Sequence, residues 1–135
     1  MKSTLPEYIV GKMLSLTEKN YNDQILRETL WNSEALSSDV TAAMNPVYKS
    51  VHDIENVARL SYGLAFAKYT GSRGKSMAND ADAEFIQEIR QIFDKNEIKY
   101  QSGGFGKVDE GGGGTVAKFL AYYGIRTIDA GPALL

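Results

Sequence analysis

A glycine-rich segment, residues 103–120, contains the residues best placed to bind a charged or polarised ligand. It holds seven of the chain's 13 glycines, and residues 111–114 are consecutive glycines directly before Thr115 and a predicted helix. Glycine lets the backbone come close to another group, and the first N–H groups of a helix have no partner within it. Such a place suits a carboxylate, a phosphate or a polarised carbonyl group.

The spacing of these glycines excludes two common nucleotide-binding motifs. The segment contains no G-x-x-x-x-G-K-[ST] pattern, and no G-x-G-x-x-G pattern leads from a strand into this helix. A tetraglycine also serves as a flexible connection. Taken alone, the segment therefore predicts either a ligand-binding loop or a linker.

Other polar side chains have simple interpretations when each is taken alone. Asp39 is predicted to lie in a turn or at a cap, and Lys68 to be solvated at the end of a strand. His52 is the only histidine, and its polar surroundings indicate a loop residue rather than a metal ligand. Arg73 and Lys75 are predicted to form a solvated turn.

Composition limits the classes of protein to which the chain can belong. Its 135 residues, 43% of them hydrophobic, suit a single domain with a real core. The net charge of −2, with both signs interspersed, predicts binding neither to nucleic acid nor to an anionic membrane. The absence of cysteine excludes disulfides and thiolate chemistry. With no signal-peptide pattern and no apolar run near the ~20 residues that span a bilayer, we predict a soluble, cytoplasmic protein.

Apolar residues at helical spacing predict three longer helices and one short one. The stripes of the longer helices are Leu5, Ile9, Met13 and Leu16; Ile25, Leu26, Leu30 and Trp31; and Phe85, Ile86, Ile89, Ile92 and Phe93. The short helix follows Thr115, and its buried face is predicted to comprise Val116, Phe119, Leu120 and Tyr123. Tyr122 and Tyr123 are predicted to contribute to helix packing rather than to a stacking platform for a ligand.

The sequence also predicts where the helices begin and end. The predicted caps are Ser3 or Thr4 for the first helix, Asn22 or Asp23 for the second, Asn79 and Asn96 for the third, and Gly124 for the end of the fourth. Asp82 would stand at the third position of its helix, in a loose capping box with Asn79.

Short strands are predicted between the helices, at residues 35–39, 62–69, 98–101 and 125–130. Residues 41–46 are predicted to form a loop closed by Asn45-Pro46, and residues 47–56 are predicted to be irregular. The alternation of helices and strands predicts an α/β sandwich of three layers.

Three blocks of sequence, in the same order and at similar spacing, resemble the C-terminal part of the aspartyl aminopeptidase and aminopeptidase I family of dinuclear zinc exopeptidases. They are residues 37–46 (SSDVTAAMNP), 64–75 (LAFAKYTGSRGK) and 106–115 (GKVDEGGGGT), followed by a similar tail at residues 128–135 (IDAGPALL). The resemblance extends from about residue 34 to the end of the chain. It implies that residues 1–135 form one part of a catalytic domain with the three-layer zinc exopeptidase fold.

The resemblance implies a mechanism and assigns roles to particular residues. In that family two zinc ions polarise the scissile carbonyl and activate water, and a glutamate acts as general base. Asp39 corresponds to a zinc-binding aspartate. Lys68 corresponds to a lysine near the substrate. Residues 111–115, including Gly112, Gly113, Gly114 and Thr115, correspond to the loop that lines the substrate pocket.

Most of the family's catalytic residues have no counterpart in the sequence. Upstream His, Asp and Glu-Glu positions would precede residue 1, and a final Met-His-Ser would follow residue 135. We therefore expect a segment of an aminopeptidase that contributes one metal ligand and is inactive alone. Glu110 is the nearest substitute for the missing base, but it is predicted to be a solvated loop carboxylate.

The resemblance also implies peptide substrates and a large homo-oligomer. Two alternatives from other classes remain open at this point. One is a non-catalytic module that binds an anion at the glycine segment and helix N-terminus, assisted by Arg73 and Lys75. The other is an assembly fragment that presents apolar surface to partner chains.

Overall fold

The computed structural model describes residues 3–72, 76–104, 106–107, 109–111 and 114–135. Its helices are α1 (Leu5–Thr17), α2 (Asp23–Trp31), α3 (Ala83–Lys95) and α4 (Ala117–Ala121), with a 3-10 turn at Lys49–Val51. Its strands are β1 (Glu34–Ser37), β2 (Thr41–Ala42), β3 (Leu64–Ala67), β4 (Tyr69–Ser72), β5 (Ser76–Asp80), β6 (Tyr100–Ser102), β7 (Arg126–Gly131) and β8 (Ala133–Leu134).

A four-stranded sheet with the order β1-β7-β3-β6 forms the centre of the fold. β1 and β7 are parallel, β3 and β6 are parallel, and β3 is antiparallel to β7. The two pairs of strands therefore run in opposite directions. β2 with β8 and β4 with β5 form two further two-stranded sheets, and together with the helices they confirm the predicted α/β class.

The hydrophobic core lies between α3 and one face of this sheet. It comprises Phe66, Ala81, Phe85, Phe93, Ile128 and Ala130. Ile128 is fully buried. Because side chains alternate across a strand, Asp129 lies on the face opposite Ile128, with Ala65 and Ala67 of β3 beside it. Small residues cover part of that second face, where a Cβ added at Gly103 would lie 3.2 Å from the Cβ of Ala58 and 3.3 Å from that of Ala65.

Several predicted boundaries are confirmed and others are wrong. Asn22 caps α2 by accepting two backbone N–H groups, Asn96 follows the last residue of α3, and Gly124 has a left-handed φ of 81°. Asn79 does not cap α3, because it lies in β5, and Asp82 itself is the N-cap. The predicted loop at residues 41–46 is also wrong at its start, since Thr41 pairs with β8.

The predicted stripe of α1 is exposed, as are single residues of the stripes of α2 and α3 and about half of the predicted face of α4. The exposed side chains are Leu5, Ile9, Met13 and Leu16 of α1, Trp31 of α2, Ile92 of α3, and Val116, Phe119 and Tyr122 in and around α4. In α4 the fully buried residue is Ala117, so the predicted face is wrong at Val116 and Phe119, while Leu120 and Tyr123 are half-buried. α1 buries only Gly11. These stripes have the spacing of helices that pack on a neighbour, yet the described part of the chain supplies little for them to pack on.

Arg126, the first residue of β7, ties this strand to its neighbours. Its guanidinium contacts Glu34 of β1 at 2.6 Å, Asp82 at 3.1 Å and Glu88 of α3 at 3.4 Å. The same group lies 5.4 Å from the centre of the Phe85 ring. Three elements are thus joined at the start of the central strand. In the residues described, no helix is long and apolar enough to cross a membrane.

The contacts of Asp82 predict how stability depends on pH. The Phe85 N–H and then Arg126 lower the pKa of Asp82. Because the folded state binds the proton more weakly than the unfolded state, Asp82 stabilises the fold above its unfolded-state pKa of about 3.9, and this contribution is lost as the pH falls through the folded pKa. Thermal unfolding of the protein that carries this chain should show a smaller loss of melting temperature on acidification in Asp82→Ala than in the wild type.

Asp82→Asn is the matched control, since asparagine also caps helices but does not titrate in this range. Its melting temperature should exceed that of Asp82→Ala at every pH and share its weaker acid dependence. An unchanged acid dependence in both variants would contradict the assignment to Asp82.

Candidate metal and substrate site

Asp39 lies in the connection between β1 and β2, just beyond the carboxyl end of β1. Its side chain is partly exposed, and its Oδ1 accepts a hydrogen bond of 2.8 Å from the N–H of Val40. Among the ion pairs formed by described residues, none involves Asp39. The carboxylate therefore combines a fixed orientation with a charge that no described cation neutralises.

β7 lies directly beside the backbone of Asp39. Asp129 of β7 is the register partner of Ser37, two residues before Asp39. Two residues further along, a Cβ at Gly131 would collide with the carbonyl oxygen of Asp39. The sequence analysis assigned no role to either β7 residue.

Asp129 is a buried carboxylate, with only 3% of its surface exposed. Burial raises its pKa, and the charge of Asp39 adds to this rise, whereas the Ser37 side chain and the Asp39 N–H oppose it. Ser37 is its register partner in β1. The Ser37 hydroxyl and Oδ1 of Asp129 nonetheless make no hydrogen bond of regular geometry within the described structure. The end of the β1–β7 pair is therefore a buried polar region in which two side-chain oxygens lack a hydrogen-bond partner within the described structure.

The glycine segment is anchored to the chain around the 3-10 turn. The N–H of Lys107 donates to the Val51 carbonyl at 3.0 Å, and a Cβ at Gly111 would collide with that same carbonyl oxygen. An isolated parallel β-bridge between Gly104 and Val57 also joins the segment to the chain just after this turn. Gly112 and Gly113, like Arg73 and Lys75, lie outside the described residues. The described part is a loop packed against a neighbour rather than a linker.

Thr115 and Gly114 lie at the end of this loop. Thr115 is buried, and its Oγ1 accepts the N–H of Ala117 at 3.1 Å. The side chain of Lys118 lies over Gly114, where an added Cβ would come within 2.8 Å of its Nζ. Since α4 has only five residues and Thr115 Oγ1 already accepts the Ala117 N–H, fewer N–H groups of this N-terminus are left for the anion of the anion-binding alternative.

Lys68 lies immediately after β3 and pairs with Asp80 at 2.7 Å. Both side chains are more than half exposed. β1 and β3 lie on the two sides of β7 and run in opposite directions, and both end beside Asp129, which pairs with Ser37 and with Ala67. Asp39 and Lys68 therefore leave the sheet from the same level of β7, on its two sides and in opposite directions.

His52 is a loop residue, as predicted, but it is buried, with 6% of its surface exposed. Its Nε2 accepts the N–H of Asn45 at 3.3 Å, while Nδ1 has no partner in the described structure. This places His52 in the packing between the segment after β2 and the 3-10 turn. Glu110 is solvated, as predicted, and its nearest cation is Lys107 at 3.9 Å.

A surface cleft of about 750 Å³ lies elsewhere, among α1, α2 and α4. Trp31, Phe119 and Tyr122 form its aromatic lining, but Asp39, Lys68 and Thr115 do not contribute to it. The cleft therefore lacks the carboxylate on which the chemistry of the predicted site depends. Nor do the described residues form any group of three or more His, Cys, Asp or Glu side chains that could hold a metal ion.

Comparison with known proteins identifies the family. The family described as "Aminopeptidase I zinc metalloprotease (M18)" matches residues 1–135. The chain belongs to the M18 aminopeptidase family. A probable M18 family aminopeptidase 1 of Borreliella afzelii is 55% identical over 130 residues, which cover 96% of this chain and 28% of that protein. Its counterpart in Clostridium acetobutylicum is 50% identical over 135 residues, covering 100% of the chain and 29% of that protein.

Solved structures of M18 proteins share the fold. The crystal structure of the M18 aminopeptidase from Thermotoga maritima superimposes with a TM-score of 0.88 at 44% identity, and the match covers 99% of this chain and 30% of the other. The family resemblance and the α/β fold predicted from the sequence are thus confirmed. The chain spans 28–29% of the length of the two curated relatives described above.

The donor chemistry of the M18 segment agrees with part of a zinc site. Carboxylate oxygens are zinc ligands, and Asp39 presents one that is accessible and fixed in direction. One such ligand does not hold a catalytic zinc ion, which requires about three protein ligands. Asp39 therefore fits a site that other residues complete.

Proposed function

We propose that this chain is the part of a zinc-dependent aminopeptidase that supplies one metal-binding carboxylate, Asp39, and the glycine loop of the substrate pocket. The substrates are peptides, from which the N-terminal residue is removed. One observation carries the proposal: the Asp39 carboxylate lies past the carboxyl end of β1, the Asp39 backbone lies against Gly131 of β7, and no described cation pairs with the carboxylate. The description of the family as zinc metalloproteases supports the same metal chemistry.

The residues of this chain would position the metal and the substrate. When bound, zinc polarises the peptide carbonyl and lowers the pKa of water. Two ions per site are part of this proposal. Asp39 would hold the metal through its remaining carboxylate oxygen, since Oδ1 already accepts the Val40 N–H. Gly114 and Thr115 shape the pocket wall, because the buried Thr115 hydroxyl fixes the turn that leads into α4.

Replacement of Asp39 tests the metal role in a full-length M18 protein that carries this segment. Asp39→Ala should reduce bound zinc and peptidase activity together, with a loss of activity of at least about 100-fold. Zinc content by atomic emission and kcat on an aminoacyl chromogenic substrate measure the two. Asp53→Ala, which removes another loop aspartate, is the control and should keep both. Wild-type zinc content in Asp39→Ala would remove Asp39 from the site.

Lys68 is proposed to act on the substrate side, where its ammonium group would attract a substrate carboxylate or carbonyl. Its ion pair with Asp80 provides a purely structural alternative. Both groups are exposed, and an exposed pair contributes little to stability. The two explanations can be separated because only the first requires Lys68 itself.

In the full-length protein, Lys68→Ala is expected to raise KM for peptide substrates by about 10-fold, roughly the value of one lost charge-assisted hydrogen bond. Asp80→Asn frees Lys68 without removing it, so KM should stay near the wild-type value. Steady-state kinetics of both variants provide the measurement. An equal effect of the two substitutions would show that the pair matters for structure and not for substrate.

The same proposal includes a homo-oligomer, supported by the exposed apolar stripe of α1 and the exposed Trp31 and Tyr122. Contiguous apolar surface of this kind is characteristic of surfaces covered by protein. A cytoplasmic location completes the proposal.

The isolated 135-residue chain should bind zinc weakly and show no aminopeptidase activity, because it provides too few ligands and no positioned base. It should also self-associate through its exposed helices. Calorimetric zinc titration, chromogenic assay and sedimentation velocity test these points. A monomer that hydrolyses substrates with zinc, and loses this activity in Asp39→Ala, would contradict the proposal that the chain is one part of an active site.

A further inference from the structure

The imidazole of His52 joins two parts of the chain that carry the proposed site. Its Nε2 atom accepts the backbone N–H of Asn45 at 3.3 Å, and the carbonyl directly before His52, that of Val51, accepts the N–H of Lys107 at 3.0 Å. We propose that His52 is a positioning residue that fixes the glycine segment in relation to the chain that follows Asp39. The inference rests on the proposed role of that segment as a wall of the substrate pocket.

His52 is buried, and its hydrogen bond defines which ring nitrogen carries the proton. Only 6% of the residue is exposed. Because Nε2 accepts a hydrogen bond, the proton of the neutral ring is on Nδ1, and Nδ1 is a buried atom without a partner in the described structure. A buried donor left unpaired costs free energy. An apolar side chain would fill the same space without that cost, so packing alone does not account for a histidine at this position.

The Asn45 end of the contact is anchored to a strand. Two residues before Asn45, the N–H of Ala43 donates to the carbonyl of Leu134 in β8 at 2.6 Å. β2, which pairs with β8, begins two residues after Asp39. The N–H that His52 accepts therefore belongs to a backbone that strand pairing connects to Asp39.

The other end of the contact controls a peptide group that holds the glycine segment. The Val51 carbonyl and the His52 N–H belong to the same planar peptide group. The N–H donates to the Lys49 carbonyl at 3.2 Å, and the carbonyl accepts the Lys107 N–H. A Cβ at Gly111 would collide with this carbonyl oxygen. A rotation of the peptide group would therefore break the bond to Lys107 and change the contact with Gly111.

The side-chain hydrogen bond limits that rotation. A ring held at Nε2 keeps the Cα atom of His52 in place, and this Cα atom is one end of the peptide group that binds Lys107. In a substrate pocket, a shift of about 1 Å can lower the rate by about 100-fold. A contact remote from the reacting atoms can thus affect catalysis through the position of the pocket wall.

The test uses a full-length M18 protein that carries this segment and compares two amide side chains at residue 52. In His52→Gln the amide oxygen can stand where Nε2 stands, whereas the shorter side chain of His52→Asn reaches only the position of Nδ1. His52→Asn should lower kcat/KM by about 10-fold, roughly the value of one hydrogen bond, and His52→Gln should stay within about threefold of the wild type. Steady-state kinetics should show most of the change in KM, because the segment is proposed to bind substrate.

Hydrogen exchange of the Lys107 amide and zinc content are measured on the same variants and on His52→Leu, which removes both ring nitrogens. Exchange at Lys107 should be faster in His52→Asn and His52→Leu than in the wild type and His52→Gln, while the amides of α3 exchange alike in all of them. Zinc content should stay at the wild-type value, since the Asp39 carboxylate is unchanged. Lys49→Ala, which removes an exposed side chain of the same turn, is the control and should keep kinetics and exchange.

The outcomes separate the inference from the proposed function. Equal exchange at Lys107 in His52→Gln and His52→Asn would show that His52 does not position the segment and would overturn the inference; this pair also decides the question if His52→Leu does not fold. Faster exchange in His52→Asn with wild-type KM and kcat would contradict the substrate-pocket role of the segment in the proposed function, and the catalytic consequence of the contact with it. Faster exchange with raised KM in His52→Asn, and recovery of both in His52→Gln, is the expected result.

Discussion

The pairing of β7 with both β1 and β3 is the constraint on which the rest of this structure depends. β7 comes late in the sequence, yet it lies inside the sheet and separates two pairs of strands that run in opposite directions. Ile128 and Ala130 bury one face of this strand against α3. The other face, with Asp129 and Gly131, is thereby directed toward the connection that carries Asp39. A single strand thus forms the core on one side and supports the candidate site on the other.

The alternation of side chains explains why a buried acid can exist in this strand. Neighbouring residues of β7 point to opposite faces, so Asp129 is buried without entering the apolar cluster around Ile128. Its surroundings are Ser37, Asp39 and the small side chain of Ala67. Polar groups at the end of two parallel strands provide a location where side chains meet a ligand at the edge of a sheet.

The glycine segment owes its placement to close contact rather than to flexibility. The Lys107 N–H donates to the Val51 carbonyl, and Gly111 lies so close to the same carbonyl that a Cβ would collide with it. Gly104 forms a β-bridge with Val57. The neighbouring Ala58 is in turn bridged to Ala43, directly after β2. These contacts connect the glycine segment to the part of the chain that follows Asp39. The exposed helices α1 and α4, by contrast, have apolar surface without a neighbour among the described residues, which agrees with a chain that spans less than a third of the length of its relatives.

The sequence by itself determined the α/β class, most strands, the start of α2 and the end of α3, because apolar spacing and capping residues act locally. The family came from the resemblance of its sequence blocks. It also singled out Asp39, through the block in which that residue stands. Only the tertiary structure decided that Asn79 belongs to a strand, that the α1 stripe is exposed, and that β1 and β3 both end beside Asp129 of β7. It alone showed that Asp39 lies against Gly131, because 92 residues of sequence separate the two positions and no local pattern reports a contact made by strand pairing.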